Sequence, residues 1–414
     1  MAAPESILVI GGGQAGGRCI EALRQGGFTG PITLVGDEAH LPYERPPLSK
    51  EMLAEGGADK IAWVRPAPWW DEHRITRHLG RRAERIDRDR KLVLLDDGSE
   101  LPYAALVLAT GARPRHLTIP GAEHQAVQVI RTIEDTRKLL PALAPGKRVV
   151  VIGAGYIGLE TAAAARARGA DVTVLEMAPR VLARGVSSEV ANWFAAEHAR
   201  QGVRIRTGAL TTRIETTPAG AVVHTETETF PADAIIVGIG VIPNVELAET
   251  AGLATDNGIL VDTHGRTSDP AIRACGDCTR HPNPILGRLL RLESWQNAQN
   301  QAIAVARDIL GEIKDYAEVP WFWSDQFGHN LQIAGLPDDT ATIIARGTLG
   351  DGPALRFFLA DGLLIGAIGL DAARDLRFAK ELIALRATPD PAQLADPAVK
   401  LADLLKSLKA QRAT

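Results

Sequence analysis

Two glycine-rich runs carry the first chemical signal. Gly11-Gly12-Gly13-Gln14-Ala15-Gly16 and Gly153-Ala154-Gly155-Tyr156-Ile157-Gly158 each follow a short apolar stretch, residues 7–10 and 149–152. In a strand–turn–helix unit the first glycine permits the tight turn. The second lets backbone approach a pyrophosphate, and the third lets helix and strand pack closely. Gly11, Gly13 and Gly16 fit these roles, as do Gly153, Gly155 and Gly158. Unpaired N–H groups at each helix start suit the phosphates. An acid closes each unit: Asp37 in the first and Glu176 in the second. A carboxylate there accepts hydrogen bonds from ribose hydroxyls. Glu38 is an alternative to Asp37. A carboxylate also repels a 2′-phosphate, so Glu176 favours NAD over NADP, while Arg180 nearby keeps NADP open.

Two dinucleotide sites in one chain point to FAD plus NAD(H), a flavoprotein that takes hydride from a nicotinamide. Its electrons need an exit. An internal exit requires a low-pKa cysteine near the flavin. The chain has three cysteines in 414 residues, and none lies between residues 38 and 60, after the first unit's second strand. Cys275-Gly276-Asp277-Cys278 has the spacing of a redox pair, but the two thiols flank a Gly-Asp and read as packing residues rather than a dithiol. A metal would need more ligands than this pair with His281 nearby. Cys19, in the first helix, reads as a small buried hydrophobe. With no internal thiol, the acceptor is external. Hydride enters the flavin and single electrons leave to a partner protein.

Repeated elements must position these residues. Helical stretches are expected at 17–25 and 159–168, and strands at 32–35 and 172–175. A further pair of segments repeats: residues 101–114 align without gaps on 230–243, placing Pro102 on Pro231, Gly111 on Gly240 and Pro114 on Pro243. Buried-strand runs at 106–108 and 235–237 lie inside them. Thr110, Gly111 and Gly240, at the ends of these runs, join the candidate cofactor contacts. The rest of the chain is different. Strand-like runs at 355–359 and 363–370 meet near Asp361-Gly362, a hairpin signal, and helix-periodic stretches follow at 373–387 and 397–409. This tail is α+β. Hydrophobic residues make up 45% and charged residues 23%, which excludes a disordered chain, a fibre and a coiled coil. A net charge of −4 gives no bulk attraction to nucleic acid or anionic lipid. No apolar run approaches the ~20 residues of a membrane span. No signal or transit peptide is expected at the short N-terminus, and the sparse cysteines suit a reducing cytoplasm.

Taken together, the motifs resemble the NADH-dependent ferredoxin reductases of bacterial oxygenase systems. That family includes putidaredoxin reductase and the reductase components of biphenyl-type dioxygenases, with apoptosis-inducing factor as a more distant relative. The segments that carry the resemblance are Arg45-Pro46-Pro47-Leu48-Ser49-Lys50, Arg131-Thr132-Ile133-Glu134-Asp135, Gly153 to Glu160, Gly276-Asp277, Glu293-Ser294-Trp295-Gln296-Asn297-Ala298 and Pro320-Trp321-Phe322-Trp323-Ser324-Asp325-Gln326. The glycine motifs are shared with wide glutathione-reductase-type families; the Pro-Pro-Leu-Ser-Lys and Trp-Phe-Trp-Ser-Asp-Gln segments are much narrower. The resemblance covers nearly the whole chain.

It implies an α/β fold with two Rossmann-like nucleotide-binding domains of glutathione-reductase type and a C-terminal α+β domain. The FAD-binding domain would be discontinuous, 1–115 and 241–317. The NAD-binding domain would span 116–240 and the interface domain 318–414. The implied FAD positions are Ala15, Asp37, Lys50, Ala83, Arg131, Asp277 and Trp295, with Arg45 in the Arg-Pro-Pro motif. Tyr156 and Ile157 lie in the second glycine loop. Lys50 would place a positive charge near the flavin ring and favour its reduced, anionic form. Glu160 would lie near the nicotinamide and pair with Lys50. These two are the candidate catalytic residues, acting through alignment and electrostatics rather than proton transfer. Trp295 would shield the flavin, and Trp321 or Trp323 would sit between flavin and partner. The implied partner is a [2Fe–2S] ferredoxin serving a terminal oxygenase, a Rieske dioxygenase or a haem monooxygenase. Such ferredoxins are usually acidic, so a basic face is expected among Arg65, Arg74, Arg77, Arg81, Arg82, Arg288 and Arg291. Other acceptors remain open: rubredoxin, nitrite reductase or a small quinone. A redox-sensing binding protein is a third reading, which wants a targeting segment and a basic nucleic-acid surface.

Overall fold

The computed structural model describes residues 4–217 and 220–412. The first three residues, part of the terminus where no targeting segment is expected, lie outside the described residues. The chain forms two compact units. The first comprises residues up to Arg45, Ile61–Arg113 and Ile242–Glu318; the second comprises Pro46–Lys60, Pro114–Val241 and the chain from Val319 onward.

The first unit is built on a five-stranded sheet in the order Ile272–Ala274, Ala105–Leu108, Ile7–Ile10, Ile32–Gly36, Ile75–Leu79. Every pairing is parallel. The strand Ile7–Ile10 is apolar at each position because both faces are covered. Ile7 and Val9 pack with Cys19, Ile20, Leu23 and Trp70. Leu8 and Ile10 pack with Ile86, Val93 and Tyr103 on the other side. A three-stranded antiparallel meander, Ala83–Asp87, Leu92–Leu95 and Glu100–Pro102, supplies part of that second face.

The second unit repeats this plan. Its sheet runs Arg204–Thr207, Asp171–Glu176, Arg148–Ile152, Ala234–Val237, Val127–Gln128, again all parallel. Its own meander is Thr211–Thr217, Gly220–Thr225 and Thr229–Ala232. The duplication therefore extends beyond the segments aligned in sequence, to the third strand and the meander. Val149 and Val151 face one core, Val150 and Ile152 another.

The C-terminal part of this unit is an antiparallel sheet in the order Trp321–Gln326, His329–Gly335, Leu363–Leu370, Ala354–Ala360, Thr342–Arg346. Asp361 (φ 49°) and Gly362 (φ 78°) form the two-residue hairpin turn, both in the left-handed region that such turns need. Leu331, Ile333, Ile368 and Leu370 share one continuous core with Val149, Val174 and Leu159. That shared core joins the tail to the second nucleotide-binding half. Leu53 enters the same core, which carries the 46–60 segment into this unit as well.

Candidate functional site

In the first unit the glycine loop leads directly into the helix Gln14–Gln25, whose N-cap is Gly13. Gly11 has φ +117°, and a Cβ there would lie 2.1 Å from the Ala109 carbonyl oxygen. A Cβ on Gly16 would lie 1.9 Å from the Gly11 oxygen. No side chain therefore fits at either position, and no side chain caps the helix start. Ala15 is buried in the first turn, and a Cβ on Gly276 would meet it at 2.9 Å. Both amide atoms of the buried Gln14 lack a partner among the described residues. A bare, close-approach helix start beside an unsatisfied buried amide fits a dinucleotide pyrophosphate.

At the end of the second strand Asp37 is exposed, whereas Glu38 is engaged. Its Oε1 accepts from Arg45 at 2.7 Å and its Oε2 from the Tyr43 hydroxyl at 2.6 Å. Burial works against the Arg45 charge, but Tyr43, Glu38 and Asp277 outweigh it and hold the guanidinium pKa above its ordinary value. Asp277 lies in the turn between the strands Ile272–Ala274 and Thr279–Asn283. Gln301 fixes that turn, its Oε1 accepting from the Gly276 N–H at 2.8 Å and the Thr279 hydroxyl at 2.9 Å. Thr110 and Gly111 are tied to Asn244. The Thr110 hydroxyl donates to the Asn244 carbonyl at 2.7 Å, the Asn244 amide donates back to the Thr110 carbonyl at 2.8 Å, and the Asn244 N–H reaches the Gly111 oxygen at 2.9 Å. Trp295 opens the helix Trp295–Ile309, capped by Ser294. Ala83 begins the first meander strand. Gln301 and Asn244 carry no motif signal; only their positions after the Trp295 segment and beside Pro243 hinted at them.

In the second unit Gly153 (φ +102°) approaches Gly238, where a Cβ would lie 2.5 Å from the carbonyl oxygen. A Cβ on Gly158 would lie 2.0 Å from the Gly153 oxygen. Gly155 caps the helix Tyr156–Ala167 without a side-chain bond. Gly240 also has positive φ, 102°. Ile157 and Met177 are exposed apolar side chains, one beside the loop and one beside the acid, and offer faces for aromatic rings. This cradle fits a second dinucleotide. Glu176 does more than end the strand. Its Oε2 accepts from the Ala154 N–H at 2.7 Å and its Oε1 from the Ala178 N–H at 2.8 Å. Arg180 is occupied: its guanidinium donates to the Ala183 and Val186 carbonyls, to Ser188 and, at 2.6 Å, to Asp339.

The same unit brings Lys50 and Glu160 together. Lys50 Nζ donates to Glu160 Oε2 at 2.8 Å, and the Ser49 hydroxyl donates to the same oxygen at 2.6 Å. Ser324 donates to Oε1 at 2.6 Å. The Glu160 side chain is 1% exposed. Burial pushes its carboxyl pKa up; Lys50, Ser324 and Ser49 pull it back without cancelling the rise. Lys50 also lies 5.7 Å from the centroid of the Trp323 ring, which stacks on Trp321 at 5.1 Å. Ser49 and Ser324 lie in segments the sequence singled out, yet neither was assigned a role there. Arg131 belongs to this unit too. Its N–H donates to Asp135, which also completes a capping box with Thr132. Part of that motif is helix-start chemistry.

The three cysteines are buried and unlinked by disulphides. Burial pushes the thiol pKa of Cys19 up to about 12 and that of Cys275 well above its usual value; it also raises Cys278. Of the candidate docking arginines, Arg65, Arg77, Arg81 and Arg291 are engaged with Glu21, Asp71, Asp97 and Glu293; Arg74, Arg81, Arg82 and Arg288 are exposed. Among the described residues no helix is long and apolar enough to cross a membrane.

Comparison with known proteins agrees along the whole length. The pyridine nucleotide-disulphide oxidoreductase family model matches residues 5–302, and a reductase C-terminal model matches residues 321–405. The ferredoxin–NAD(+) reductase component of the anthranilate 1,2-dioxygenase system of Burkholderia cepacia is 45% identical over 97% of this chain and 99% of its own. Rhodocoxin reductase of Rhodococcus erythropolis is 44% identical over 94% and 92%. The reductase in a crystal structure of the covalent putidaredoxin reductase–putidaredoxin complex superposes with a TM-score of 0.95 at 36% identity, covering 99% of this chain and 100% of that one. The chain therefore belongs to the pyridine nucleotide-disulphide oxidoreductase family, among the members that carry a reductase C-terminal domain and include the ferredoxin–NAD(+) reductases of oxygenase systems.

Proposed function

We propose that this protein is an FAD-dependent NADH:ferredoxin oxidoreductase. The duplicated cradle carries the reading: one chain has two bare glycine-loop helix starts, each followed by an acid at the end of the next strand. FAD, when bound, supplies a group that accepts hydride from NADH and releases electrons singly. The chain's own residues do the rest. Gly11, Gly13, Ala15 and Gly16 admit the FAD pyrophosphate, and Asp37 takes the ribose because Glu38 is spent on Arg45 and Tyr43. Asp277, Thr110, Gly111, Ala83 and Trp295 serve the same cofactor, as do Lys50, Arg131 and Trp323. Gly153, Gly155, Tyr156, Ile157, Gly158 and Gly240 line the NAD cradle with Glu176. Arg180, held by four acceptors, is not offered to a 2′-phosphate, so NADH is the donor. Lys50 and Glu160 act on the hydride transfer as an ion pair whose carboxylate end is buried.

The buried, high-pKa thiols fit an external acceptor. The relatives are named as ferredoxin–NAD(+) reductases, and the structural neighbour is joined to putidaredoxin. A [2Fe–2S] ferredoxin feeding a terminal oxygenase is the matching partner, with no role for nucleic acid or membrane, and the cytoplasm is the matching compartment. In domain terms the FAD-binding part is 1–115 and 241–317, the NAD-binding part 116–240 and the interface part 318–414. The test is an anaerobic mix of the purified flavoprotein with NADH and an oxygenase-system [2Fe–2S] ferredoxin. Flavin bleaching followed by catalytic ferredoxin reduction is expected. Bleaching without ferredoxin reduction would overturn the acceptor and keep the two nucleotide sites.

A further inference from the structure

The Glu160 carboxylate is the end of a longer buried chain. Ser324, on the strand Trp321–Gln326, donates its single hydroxyl hydrogen to Glu160 Oε1 at 2.6 Å. The Ser324 oxygen accepts from Gln326 Nε2 at 2.9 Å. Gln326 Oε1 meets His198 Nε2, on the helix Ser188–Arg200, at 2.8 Å. Ser324, Gln326 and His198 are all buried, at 0%, 2% and 0% exposure. An amide oxygen only accepts, so His198 must donate through Nε2–H. Every hydrogen in the chain then points toward Glu160.

The reverse polarity is also connected on paper. A protonated Glu160 would donate to Ser324, Ser324 to a flipped Gln326 oxygen, and the Gln326 amide to a bare His198 Nε2. That arrangement forces the His198 hydrogen onto Nδ1. Nδ1 is buried and has no partner among the described residues. A buried N–H without an acceptor is rarely tolerated, whereas a bare ring nitrogen loses only an acceptor site. The orphan at the far end therefore selects the polarity that donates to the near end.

We propose that Ser324, Gln326 and His198 are positioning residues for Glu160, a polarised hydrogen-bond chain that keeps this buried carboxyl ionised and its Oε2 directed to Lys50. The inference deepens the functional reading and rests on it in one respect, the assignment of Lys50 and Glu160 to hydride transfer. The charged or titratable groups facing the chain are Lys50 from the 46–50 turn at one end and, at the other, His198 with Glu197 beside it. Burial holds the His198 ring below its ordinary pKa, against the Gln326 bond and Glu197, which favours the neutral ring. Phe327, 4.9 Å away between ring centroids, covers the ring.

The test is the ionisation of Glu160, read directly in the holoenzyme. The protein is labelled with 13C at the glutamate carboxyls, and the Glu160 resonance is assigned by its loss in Glu160→Gln. Ser324→Ala is expected to move its titration midpoint up by about one pH unit or more, because a buried carboxylate oxygen loses its donor. Gln326→Leu, one step further out, should move it less in the same direction, and Ser324→Thr, which keeps the hydroxyl, should restore the wild-type midpoint. The acid limb of the NADH-to-flavin rate should shift in step. An unchanged midpoint in Ser324→Ala or, if that variant fails to fold, in Gln326→Leu overturns the proposal. Failure of the functional reading shows elsewhere: wild-type holoenzyme that does not bleach with NADH leaves the carboxyl titration intact as a measurement of the chain.

Discussion

At the residue scale Glu176 has one duty in the fold and one in the proposed function, and they can be separated. Its carboxylate accepts from the N–H groups of Ala154 and Ala178 and so holds the glycine loop; in the proposed function it also accepts from a ribose. Glu176→Arg should therefore lower NADH preference relative to NADPH and also cost about 1–3 kcal/mol of stability, since two backbone donors lose their acceptor. The ratio of kcat/KM for the two coenzymes checks the first effect and the melting temperature the second. Unchanged selectivity would show that Glu176 does not meet the ribose. The switch should be partial, because Arg180 stays tied to Asp339; adding Asp339→Ala should enlarge it. His281 makes a second residue-level prediction. Its ring is 1% exposed, both nitrogens lack partners among the described residues, and burial lowers its pKa to about 4. The unfolded chain takes up that proton more readily, so acid favours unfolding. The stability tied to neutral His281 is fully present above the unfolded value of about 6.5 and is lost as pH falls toward the folded one. That loss amounts to at most about 3 kcal/mol. Denaturant titrations at about pH 7 and about pH 4 should show His281→Leu losing less stability over the interval than the wild type. An equal loss would move the acid sensitivity to other groups.

Elements explain why some of this was legible in sequence and some was not. The central strands of both sheets read clearly because both faces are buried, which leaves every position apolar. The helices were expected from 17 and 159 but begin at Gln14 and Tyr156. Glycine reads as non-helical, yet Gly16 and Gly158 sit inside the first turn, where the missing Cβ is the requirement. The first C-terminal helix stops at Ala384 rather than 387, and Arg386 turns the chain at φ 49°. The second begins at Leu401 rather than 397, after a separate short helix, Pro391–Ala395. Partners distant in sequence left no local trace. Asn244 meets Thr110 across 134 positions, and Ser324 meets Glu160 across 164. The glycine loops also make a paired prediction. An alanine methyl at Gly158 has only the Gly153 backbone to displace, and one at Gly16 only the Gly11 backbone. Gly158→Ala should weaken NADH binding while the flavin stays bound, and Gly16→Ala should lower flavin content, each with about 1–3 kcal/mol of strain. Flavin loss from Gly158→Ala with normal content in Gly16→Ala would reverse the assignment of the two cradles.

For the whole molecule the question is where electrons leave. An internal relay needs a thiolate that is formed and reachable. Burial works against both conditions for Cys275 and Cys278. Both are fully buried, and burial holds both thiols above their ordinary pKa. Their surroundings are structural: Cys275 packs with Ala15, Cys19 and Ala298 on one side of the first sheet, Cys278 with Leu108, Ile259 and Ala274 on the other. The Cys-x-x-Cys spacing follows from the Gly-Asp turn between two short strands, which sets two flanking residues into two cores. Replacing both cysteines should therefore act on stability and leave electron flow alone. Cys275→Ala with Cys278→Ala avoids burying new hydroxyls, so a modest loss of melting temperature is expected, with flavin content and NADH-driven ferredoxin reduction near wild type. Ferredoxin reduction and flavin absorbance on the same preparation decide it. Loss of turnover with the flavin still bound would return the dithiol to the electron path, and the external acceptor would then receive its electrons from sulphur rather than from the flavin.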